Sequence, residues 1–450
     1  MKRIGMISLG CPKNLVDSEV MMGVLRRHGF ELTPDAGDAD IVVVNTCGFI
    51  DAAKQESVDT ILEMAELKNS GGLEKLIVAG CLVERYRKEL QQEIPEIDAV
   101  LGTSQIEQIA EACSDPLSFG RQEKVLAGPD AITYLYSDQT PRVLATAPYS
   151  AYMKISEGCD RPCTFCVIPS MRGHFRSRSP ESVIREVEQL GAAGTREVVL
   201  IAQESTLYGS DLGLKNGLAD LLDKMAETRA VEWIRFLYAY PTTATDRLFE
   251  VMASHDNLCK YLDVPLQHAS RDVLKRMKRP GDRGYYEKLV DRARRIVPGI
   301  ALRTTFIVGF PGETDDDFEE LVGFVRDAEF DRMGVFTYSD EEGTDAYLLD
   351  GKVAADVAAA RRDQLMGVQR EISERRNREL IGRTFKVLSE GRSDETDLLF
   401  QGRMESQAPQ IDGVVLINEL ADDEVLPEEG EFVMVEITEA HQYDLVGRLV

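Results

Sequence analysis

The sequence predicts an α/β protein of three units: an N-terminal doubly wound parallel sheet domain, a central partial (β/α)6 barrel like part of a TIM barrel, and a small C-terminal antiparallel β-barrel. Apolar strands alternate with helical stretches over residues 1–113 and again over residues 147–350. Residues 383–450 instead hold strand-like segments separated only by turns. Strand–helix alternation is typical of parallel sheets, whereas successive short strands favour antiparallel sheets and barrels.

The 450-residue chain is strongly acidic, with a formal net charge of −26 and a pI near 4.7. A nucleic-acid binder normally carries a basic face, so this charge disfavours nucleic acid and suits a basic protein partner. Solubility alone is an equally good explanation. The sequence contains no run of eighteen or more apolar residues, so we expect no membrane span. The apolar stretch at the N-terminus is too short, and becomes polar too soon, for a secretory signal. We therefore expect a cytoplasmic protein.

In residues 1–113, three predicted strands each end shortly before a cysteine. The strands are expected at 3–9, 40–45 and 75–79, helices at 14–27 and 51–67, and the cysteines are Cys11, Cys47 and Cys81. Open α/β sheets bind ligands at the carboxyl ends of their strands, so we expect the three thiols to hold a ligand there. Three buried structural cysteines are the alternative, and this is our interpretation of Cys113 and Cys259.

Residues 114–146 are predicted to form a linker, with turn signals at 128–130 and 137–141 that would suit a hairpin. Six strands follow, and helices such as 181–190 and 218–228 lie between most of them. The strands are expected at 152–155, 197–202, 233–239, 261–265, 302–309 and 332–338. Six strands are fewer than a closed TIM barrel has, so we expect a partial barrel with its site at the carboxyl ends of the strands.

A C-x3-C-x2-C motif follows the first of these strands. Its cysteines are Cys159, Cys163 and Cys166, and the aromatic Phe165 precedes the last of them. Soft thiolates select iron–sulfur chemistry, and three ligands on a four-iron cluster leave one iron open to chelate a small molecule. No fourth cysteine lies near, because the next one is Cys259. A zinc site or a chance motif is the alternative.

The motif resembles the cluster loop of radical S-adenosylmethionine (SAM) enzymes, and IPSMRG at 168–173 narrows the resemblance to the methylthiotransferases. The resemblance covers the whole chain and implies SAM and two 4Fe-4S clusters as cofactors. One cluster generates the radical and the other carries the sulfur. The resemblance places the first cluster on Cys159, Cys163 and Cys166 and the second on Cys11, Cys47 and Cys81.

The resemblance also implies contacts with SAM around the ends of the barrel strands. Phe165 belongs to the cluster loop, Glu204 follows the second strand, and Arg303 and Gly309 lie on the fifth. In radical SAM enzymes a polar or acidic group at the second strand end meets the amino group of SAM, and the fifth strand meets its adenine. Turn geometry alone is the alternative for Gly309.

The C-terminal part of the chain is predicted to form a long helix and an acidic barrel. Residues 351–382 should form a helix that connects two units and keeps a largely solvated charged face. Strands are expected at 384–388, 412–417 and 432–438, and the barrel they form resembles a TRAM domain, a module that usually binds RNA. Residues 383–450 hold five basic residues against sixteen acidic ones, a surface that repels phosphate and attracts a basic protein.

Within the methylthiotransferases, IPSMRG and the acidic last unit are typical of the branch that modifies the β-carbon of an aspartate in the small-subunit ribosomal protein S-twelve. The resemblance implies radical removal of hydrogen from an unactivated carbon, followed by sulfur insertion and methyl transfer with two SAM. The implied partners are the S-twelve protein, a reductant such as flavodoxin and a sulfur donor. It implies no membrane, and no nucleic acid except as part of the ribosome.

Two other functions stay open at the level of the sequence. A tRNA methylthiotransferase would perform the same chemistry on a modified adenosine and would bind RNA in a salt-sensitive way, which the acidic tail opposes. A two-cluster electron carrier would not cleave SAM and would not need a barrel with polar strand ends. The basic stretches 172–178 and 271–279 either face a ligand or form solvated surface.

Overall fold

The computed structural model describes residues 1–115, 132–393, 396–419 and 426–450, and it confirms the three predicted units. The turn signal at 128–130 lies outside the described residues. Among the helices described, none is long and apolar enough to cross a membrane.

The N-terminal unit is a parallel sheet with strand order β2-β1-β3-β4-β5. The strands are β1 Arg3–Ser8, β2 Glu31–Thr33, β3 Ile41–Thr46, β4 Lys75–Gly80 and β5 Ala99–Leu101. The helices are Pro12–Arg27, Asp51–Asn69, Cys81–Glu93 and Ile109–Ser114. Alternate residues of β3 join two separate apolar clusters, so both faces of the sheet are covered. The strand order reverses between β1 and β3, where doubly wound sheets bind ligands.

The central unit contains six parallel strands in two three-stranded sheets, ordered β10-β9-β6 and β11-β12-β13. A short antiparallel pair, β7 and β8, follows β6. A parallel bridge between Ile234 and Leu258 joins the two sheets into the expected partial barrel. The strands are β6 Ser150–Lys154, β7 Ser156–Glu157, β8 Arg176–Ser177, β9 Glu197–Ile201, β10 Trp233–Phe236, β11 Tyr261–Asp263, β12 Ala301–Val308 and β13 Arg332–Thr337.

Most helices of the central unit pack against the outward side chains of its strands, but the first of them packs against the N-terminal unit. They are Ile168–Arg172, Pro180–Ala192, Gly217–Thr228, Asp246–Ser254, Arg271–Arg276, Arg283–Ile296, Asp315–Ala328 and Ala355–Arg378. The last of these leads into the C-terminal unit and keeps an exposed charged face, which includes Asp363 and Arg378, but its opposite face is buried. Its Leu365 and Ile372 are buried in the apolar cluster between the helices and the strands, and its Arg361 is buried against Glu313. This helix therefore covers β13 as the outer layer of the sixth strand.

The inward side chains of the partial barrel join one apolar cluster with the other two units. Tyr152, Val199 and Tyr261 from the strands pack in a cluster that includes Val20 of the N-terminal unit and Ala408 of the C-terminal unit. The Tyr261 hydroxyl also donates a hydrogen bond to Asp412 at 2.7 Å. The segment around Ala408 thus fills the inside of the barrel.

The C-terminal unit is a closed barrel with strand order β14-β15-β16-β18-β17. The strands are β14 Thr384–Ser393, β15 Thr396–Met404, β16 Val415–Glu419, β17 Phe432–Ala440 and β18 Leu445–Leu449. Neighbouring strands are antiparallel except for β16 and β18, which pair in parallel. The predicted antiparallel barrel is therefore confirmed except at this one pair.

Candidate active site

The three cysteines of the C-x3-C-x2-C motif lie on a tight loop beyond the carboxyl end of β6. The loop begins at Gly158, whose φ is +81°, and a Cβ added there would lie 2.1 Å from the His174 carbonyl oxygen. Only glycine fits this close approach. The Cys159 N–H donates to the Gly173 carbonyl at 3.1 Å, which closes the loop. All three cysteines are partly exposed residues.

The loop is supported from the opposite wall of the barrel. The Thr164 N–H donates to the Met277 carbonyl at 3.1 Å, and the Ala346 N–H donates to the Thr164 carbonyl at 2.8 Å. Phe165 packs edge-on against Phe310, with 6.5 Å between the ring centroids. Phe310 directly follows Gly309 at the end of β12, so the structure brings Phe165 and Gly309 to the same side of the cluster loop.

Glu204 also reaches this loop. Its carboxylate accepts two hydrogen bonds from Arg161, at 2.5 and 2.6 Å, and Arg161 lies between Cys159 and Cys163 in the sequence. Sequence reasoning missed Arg161, although its place inside the motif was a usable signal. The carboxylate of Glu204 is buried and faces the cysteines from the end of β9.

Arg279 is a second side chain beside the cysteine loop that the sequence did not single out. Its Nη1 lies 3.8 Å from Cys163 Sγ, and its guanidinium stacks over the Tyr240 ring at 4.3 Å. Arg161 lies over the same ring at 4.0 Å, so one aromatic ring holds two cations beside the loop. The signal for Arg279 was its position in the basic stretch 271–279, which the structure turns partly toward the cysteines.

Burial raises the pKa of the Cys159 thiol to about 11 and that of Cys166 to about 12. The charge of Arg161 opposes the rise at Cys159, and that of Arg279 opposes it at Cys166. Without a bound metal these thiols stay protonated at neutral pH. Binding of iron would therefore release protons, as it does when thiolate ligands bind metals in general.

The other three cysteines converge at the carboxyl edge of the N-terminal sheet. Cys11 precedes the helix Pro12–Arg27, Cys47 follows β3, and Cys81 begins the helix after β4. A Cβ added to Gly10 would lie 2.7 Å from the Cβ of Cys47, which shows how closely the first two loops approach. Burial raises the pKa of Cys47 and raises that of Cys81 to about 12.

Neither group of three thiols is arranged around a single metal ion. Within the described ranges, no three His, Cys, Asp or Glu side chains lie close enough to share a metal ion. The ligands of a four-iron cluster bind different irons and stand farther apart than the ligands of one tetrahedral zinc. The donor chemistry of both sites, three cysteines each, fits an iron–sulfur cluster. Cys113 and Cys259 are fully buried beside Lys75 and Arg235, as structural cysteines would be.

The two cysteine sites flank a single apolar patch. We define this patch by the five side chains that pack together there: Phe49, Cys81, Val167, Ile168 and Met171. Val167 and Ile168 directly follow Cys166, whereas Cys81 belongs to the N-terminal site. The Thr103 hydroxyl donates to the Met171 carbonyl at 2.7 Å and holds the two units together beside the patch.

The basic stretch 172–178 faces inward, which differs from both sequence interpretations. Arg178 is buried in an ion pair with Glu186 at 2.5 Å, and Arg172 is buried in an ion pair with Asp17 at 2.5 Å. The pair with Asp17 cannot be predicted from local charge because Asp17 is 155 residues away in the sequence.

Arg303 is not brought to the cluster loop. Its Nη1 donates to Asp263 Oδ1 at 2.8 Å, and its Nε lies 3.7 Å from Asp412 Oδ1. It stands five residues before Val308, roughly 16 Å down β12 from the carboxyl end at the usual rise of a strand. Its contact with SAM stays a prediction.

Three family models match the chain: the uncharacterized protein family UPF0004 at residues 3–102, the Radical SAM superfamily at 153–325 and the TRAM domain at 381–450. A Solibacter usitatus protein named ribosomal protein uS12 methylthiotransferase RimO is 56% identical, covering 100% of this chain and 95% of that protein. The protein of the same name from Koribacter versatilis is 51% identical and is covered over 96% of its length by 100% of this chain.

Among solved structures, the radical S-adenosylmethionine methyltransferase TsrM from Kitasatospora setae has a similar fold. Its TM-score is 0.55 at 16% identity, over 75% of each chain. Full-length identity of this order to curated relatives and the Radical SAM match define an enzyme that uses SAM and iron–sulfur chemistry. On this evidence the chain belongs to the RimO family of radical SAM methylthiotransferases.

Proposed function

We propose that this enzyme methylthiolates the β-carbon of an aspartate in ribosomal protein uS12, the protein called S-twelve above. The observation that carries the proposal is the placement of two three-cysteine sites on either side of one apolar patch. Radical chemistry and sulfur delivery must act on the same carbon, so the two sites must face a common space. The names of the full-length relatives support the choice of uS12.

Six cysteines would hold the metal. Cys159, Cys163 and Cys166 would bind one 4Fe-4S cluster, and Cys11, Cys47 and Cys81 would bind the second. When bound, SAM and the clusters supply the removal of hydrogen from an unactivated carbon and the sulfur and methyl group that replace it. Each site offers three thiolates, which leaves room on each cluster for one ligand that is not a protein side chain.

The side chains around the first site suit the binding of SAM. Glu204 offers a buried carboxylate to the amino group of SAM, and Arg161 holds that carboxylate until SAM arrives. Arg161 is 25% exposed, so it has room to swing outward when the ammonium group replaces it. Phe165 and the backbone at Gly309 would form the neighbouring wall of this SAM site.

The apolar patch excludes water from the space between the two sites. Val167 and Met171 are buried, and no acid or base is needed there because an unactivated C–H bond has no accessible pKa. Val167 and Met171 pack the two units together, and the partly buried Phe49 and Ile168 would keep competing hydrogen donors away from the substrate carbon.

Charge supports a basic protein substrate. The chain carries a net charge of −26, and residues 383–450 contribute eleven of these negative charges. An acidic surface accelerates encounter with a basic partner and disfavours free RNA. We further propose a cytoplasmic enzyme that receives electrons from a reductant such as flavodoxin and sulfur from a separate donor.

The test offers two substrates in parallel to the anaerobically reconstituted enzyme, with reductant, sulfide and SAM. One is a uS12 protein or loop peptide, and the other is an unmodified tRNA carrying a prenylated adenosine. Mass spectrometry then seeks the mass added when a methylthio group replaces hydrogen. Addition to the uS12 aspartate alone is the expected result. Addition to the tRNA alone would overturn the proposed substrate.

A further inference from the structure

Arg172 links the two cysteine sites through a single side chain. It ends the helix Ile168–Arg172, six residues after Cys166, yet its guanidinium is buried in the N-terminal unit. Its Nη1 donates to Asp17 Oδ2 at 2.5 Å, and its Nη2 donates to Asn14 Oδ1 at 2.9 Å. The guanidinium also lies close enough to the Cys81 thiol for its charge to favour the thiolate. Its backbone thus belongs to one cysteine loop and its side chain to the other site.

Asn14 extends these contacts to the remaining two cysteines. Its Nδ2 donates to the Leu9 carbonyl at 2.8 Å and to the Thr46 carbonyl at 3.0 Å. These carbonyls lie two residues before Cys11 and one residue before Cys47. Because Arg172 occupies the amide oxygen, the amide nitrogen is oriented toward both carbonyls. Through Asn14, Arg172 therefore helps to fix the backbone just before Cys11 and just before Cys47. It acts on Cys81 directly, through its charge.

The positive charge of Arg172 is permanent, because arginine is not deprotonated in proteins. Asp17 and Glu157 together balance Arg172 and the buried Lys154, because Asp17 pairs with both cations and Glu157 Oε2 lies 3.6 Å from Arg172 Nη1. Within this balanced group, Arg172 is the cation whose charge acts on Cys81 and Cys47. Lys154 pairs in turn with Glu157 at 2.7 Å. A fixed positive charge at low dielectric favours any state of a nearby group that gains negative charge.

We propose that Arg172 is a positioning residue for the N-terminal cluster. It draws the loops of Cys11, Cys47 and Cys81 together, and its charge raises the reduction potential of the cluster that they hold. The N-terminal site is then complete only when the segment after Cys166 is folded against it. This inference rests on the part of the proposed function that assigns a cluster to these three cysteines.

The test isolates the N-terminal cluster in the full chain by replacing Cys159, Cys163 and Cys166 with alanine. Iron content and the reduction potential, followed by electron paramagnetic resonance, are measured after anaerobic reconstitution. Arg172→Met should weaken cluster retention about 10-fold or more, as loss of a hydrogen-bonding partner of a metal ligand does. It should also shift the potential to more negative values. Arg172→Lys should keep the potential but hold less cluster, because an ammonium group lacks the planar fork.

Arg178→Met is the matched control, because Arg178 is a buried arginine on the same segment that pairs with Glu186 instead. It should leave the potential unchanged. If Arg172→Met is too unstable to purify, Asp17→Asn/Arg172→Met removes both charges of the pair, leaves the net charge unchanged and should still hold less cluster, because the hydrogen bond to Asn14 is lost. A parent-like potential and iron content in these variants would overturn the inference. A parent that binds no cluster would overturn the second-cluster assignment itself, and the inference with it.

Discussion

Glu197 and Arg403 form a buried ion pair between the partial barrel and the C-terminal barrel. Arg403 Nη2 lies 2.6 Å from Glu197 Oε2, and both side chains are at most 1% exposed. Arg235 donates to the other carboxylate oxygen at 3.1 Å, and Arg403 also pairs with Glu390 at 2.6 Å. Each charge is thus matched, which is the condition for burying ions without a large penalty.

Arg403→Met should destabilise the cluster-free chain strongly. The substitution leaves Glu197 buried with Arg235 alone, and breaking a buried pair costs about 3–5 kcal/mol. Denaturant unfolding of the wild type and the variant measures the free energy of unfolding. Arg378→Met is the control, since Arg378 is 65% exposed in its pair with Glu374 and such pairs contribute about 0.5 kcal/mol. Equal losses in the two variants would contradict the prediction.

The stability of the chain should fall in acid partly through Glu197. Burial alone would raise the pKa of this carboxyl, but the charges of Arg403 and Arg235 outweigh it and lower the pKa to about 2. An unfolded glutamate titrates near 4.3, so the contribution of Glu197 is fully present above about pH 4.5 and is lost as the pH falls toward 2. Unfolding free energies of the wild type and Glu197→Gln should therefore converge over this range. A constant difference between pH 5 and pH 3 would disprove the assignment.

Glu341→Gln should separate SAM cleavage from methylthiolation. Glu341 is 2% exposed and accepts ion pairs at 2.8 Å from both Lys54 and Arg85, which follow Cys47 and Cys81 in the N-terminal unit. In the same loop, the Ala346 N–H donates a hydrogen bond to the carbonyl of Thr164, which lies in the C-x3-C-x2-C motif. Weakening the ion pairs of Glu341 should let the two cysteine sites move apart. Product formation should then fall about 10-fold or more, because misplaced groups react more slowly.

The readout for Glu341→Gln is the ratio of 5′-deoxyadenosine to methylthiolated product, which should rise. Glu342→Gln is the matched control, because the side chain of Glu342 is exposed and only its backbone carbonyl accepts from Arg85. An unchanged ratio in Glu341→Gln would show that the connection does not set the spacing of the sites.

Removing single cysteines should give two different defects. Cys159→Ala should abolish SAM cleavage, whereas Cys81→Ala should keep SAM cleavage and lose methylthiolation. Each variant should retain about four irons per chain instead of about eight, because each loses one 4Fe-4S cluster. Iron and sulfide analysis measures the cluster content, and product assays measure SAM cleavage and methylthiolation. Cys259→Ala is the control and should keep both clusters. Full iron in Cys81→Ala would refute the second cluster.

The sequence predicts those features that depend on local pattern. Cys11, Cys47 and Cys81 could be placed at the carboxyl edge of the N-terminal sheet because each follows an apolar run that predicts a parallel strand. The short strands β2 and β5 were not predicted. Arg172 and Arg303 were beyond reach for another reason. Their partners, Asp17 and Asp263, are distant in sequence, and only the packed units decide where a long cationic side chain points.

The position of Ala408 inside the partial barrel bears on how the C-terminal unit can be studied. A chain cut after residue 382 would lose Ala408 and the acceptor of the Tyr261 hydroxyl together, and would uncover the apolar interior of the barrel to water. Such a fragment would be prone to aggregate, and its inactivity would say nothing about substrate recognition. The contribution of the acidic surface is better measured by charge-reversing substitutions on the outer strands of the intact chain.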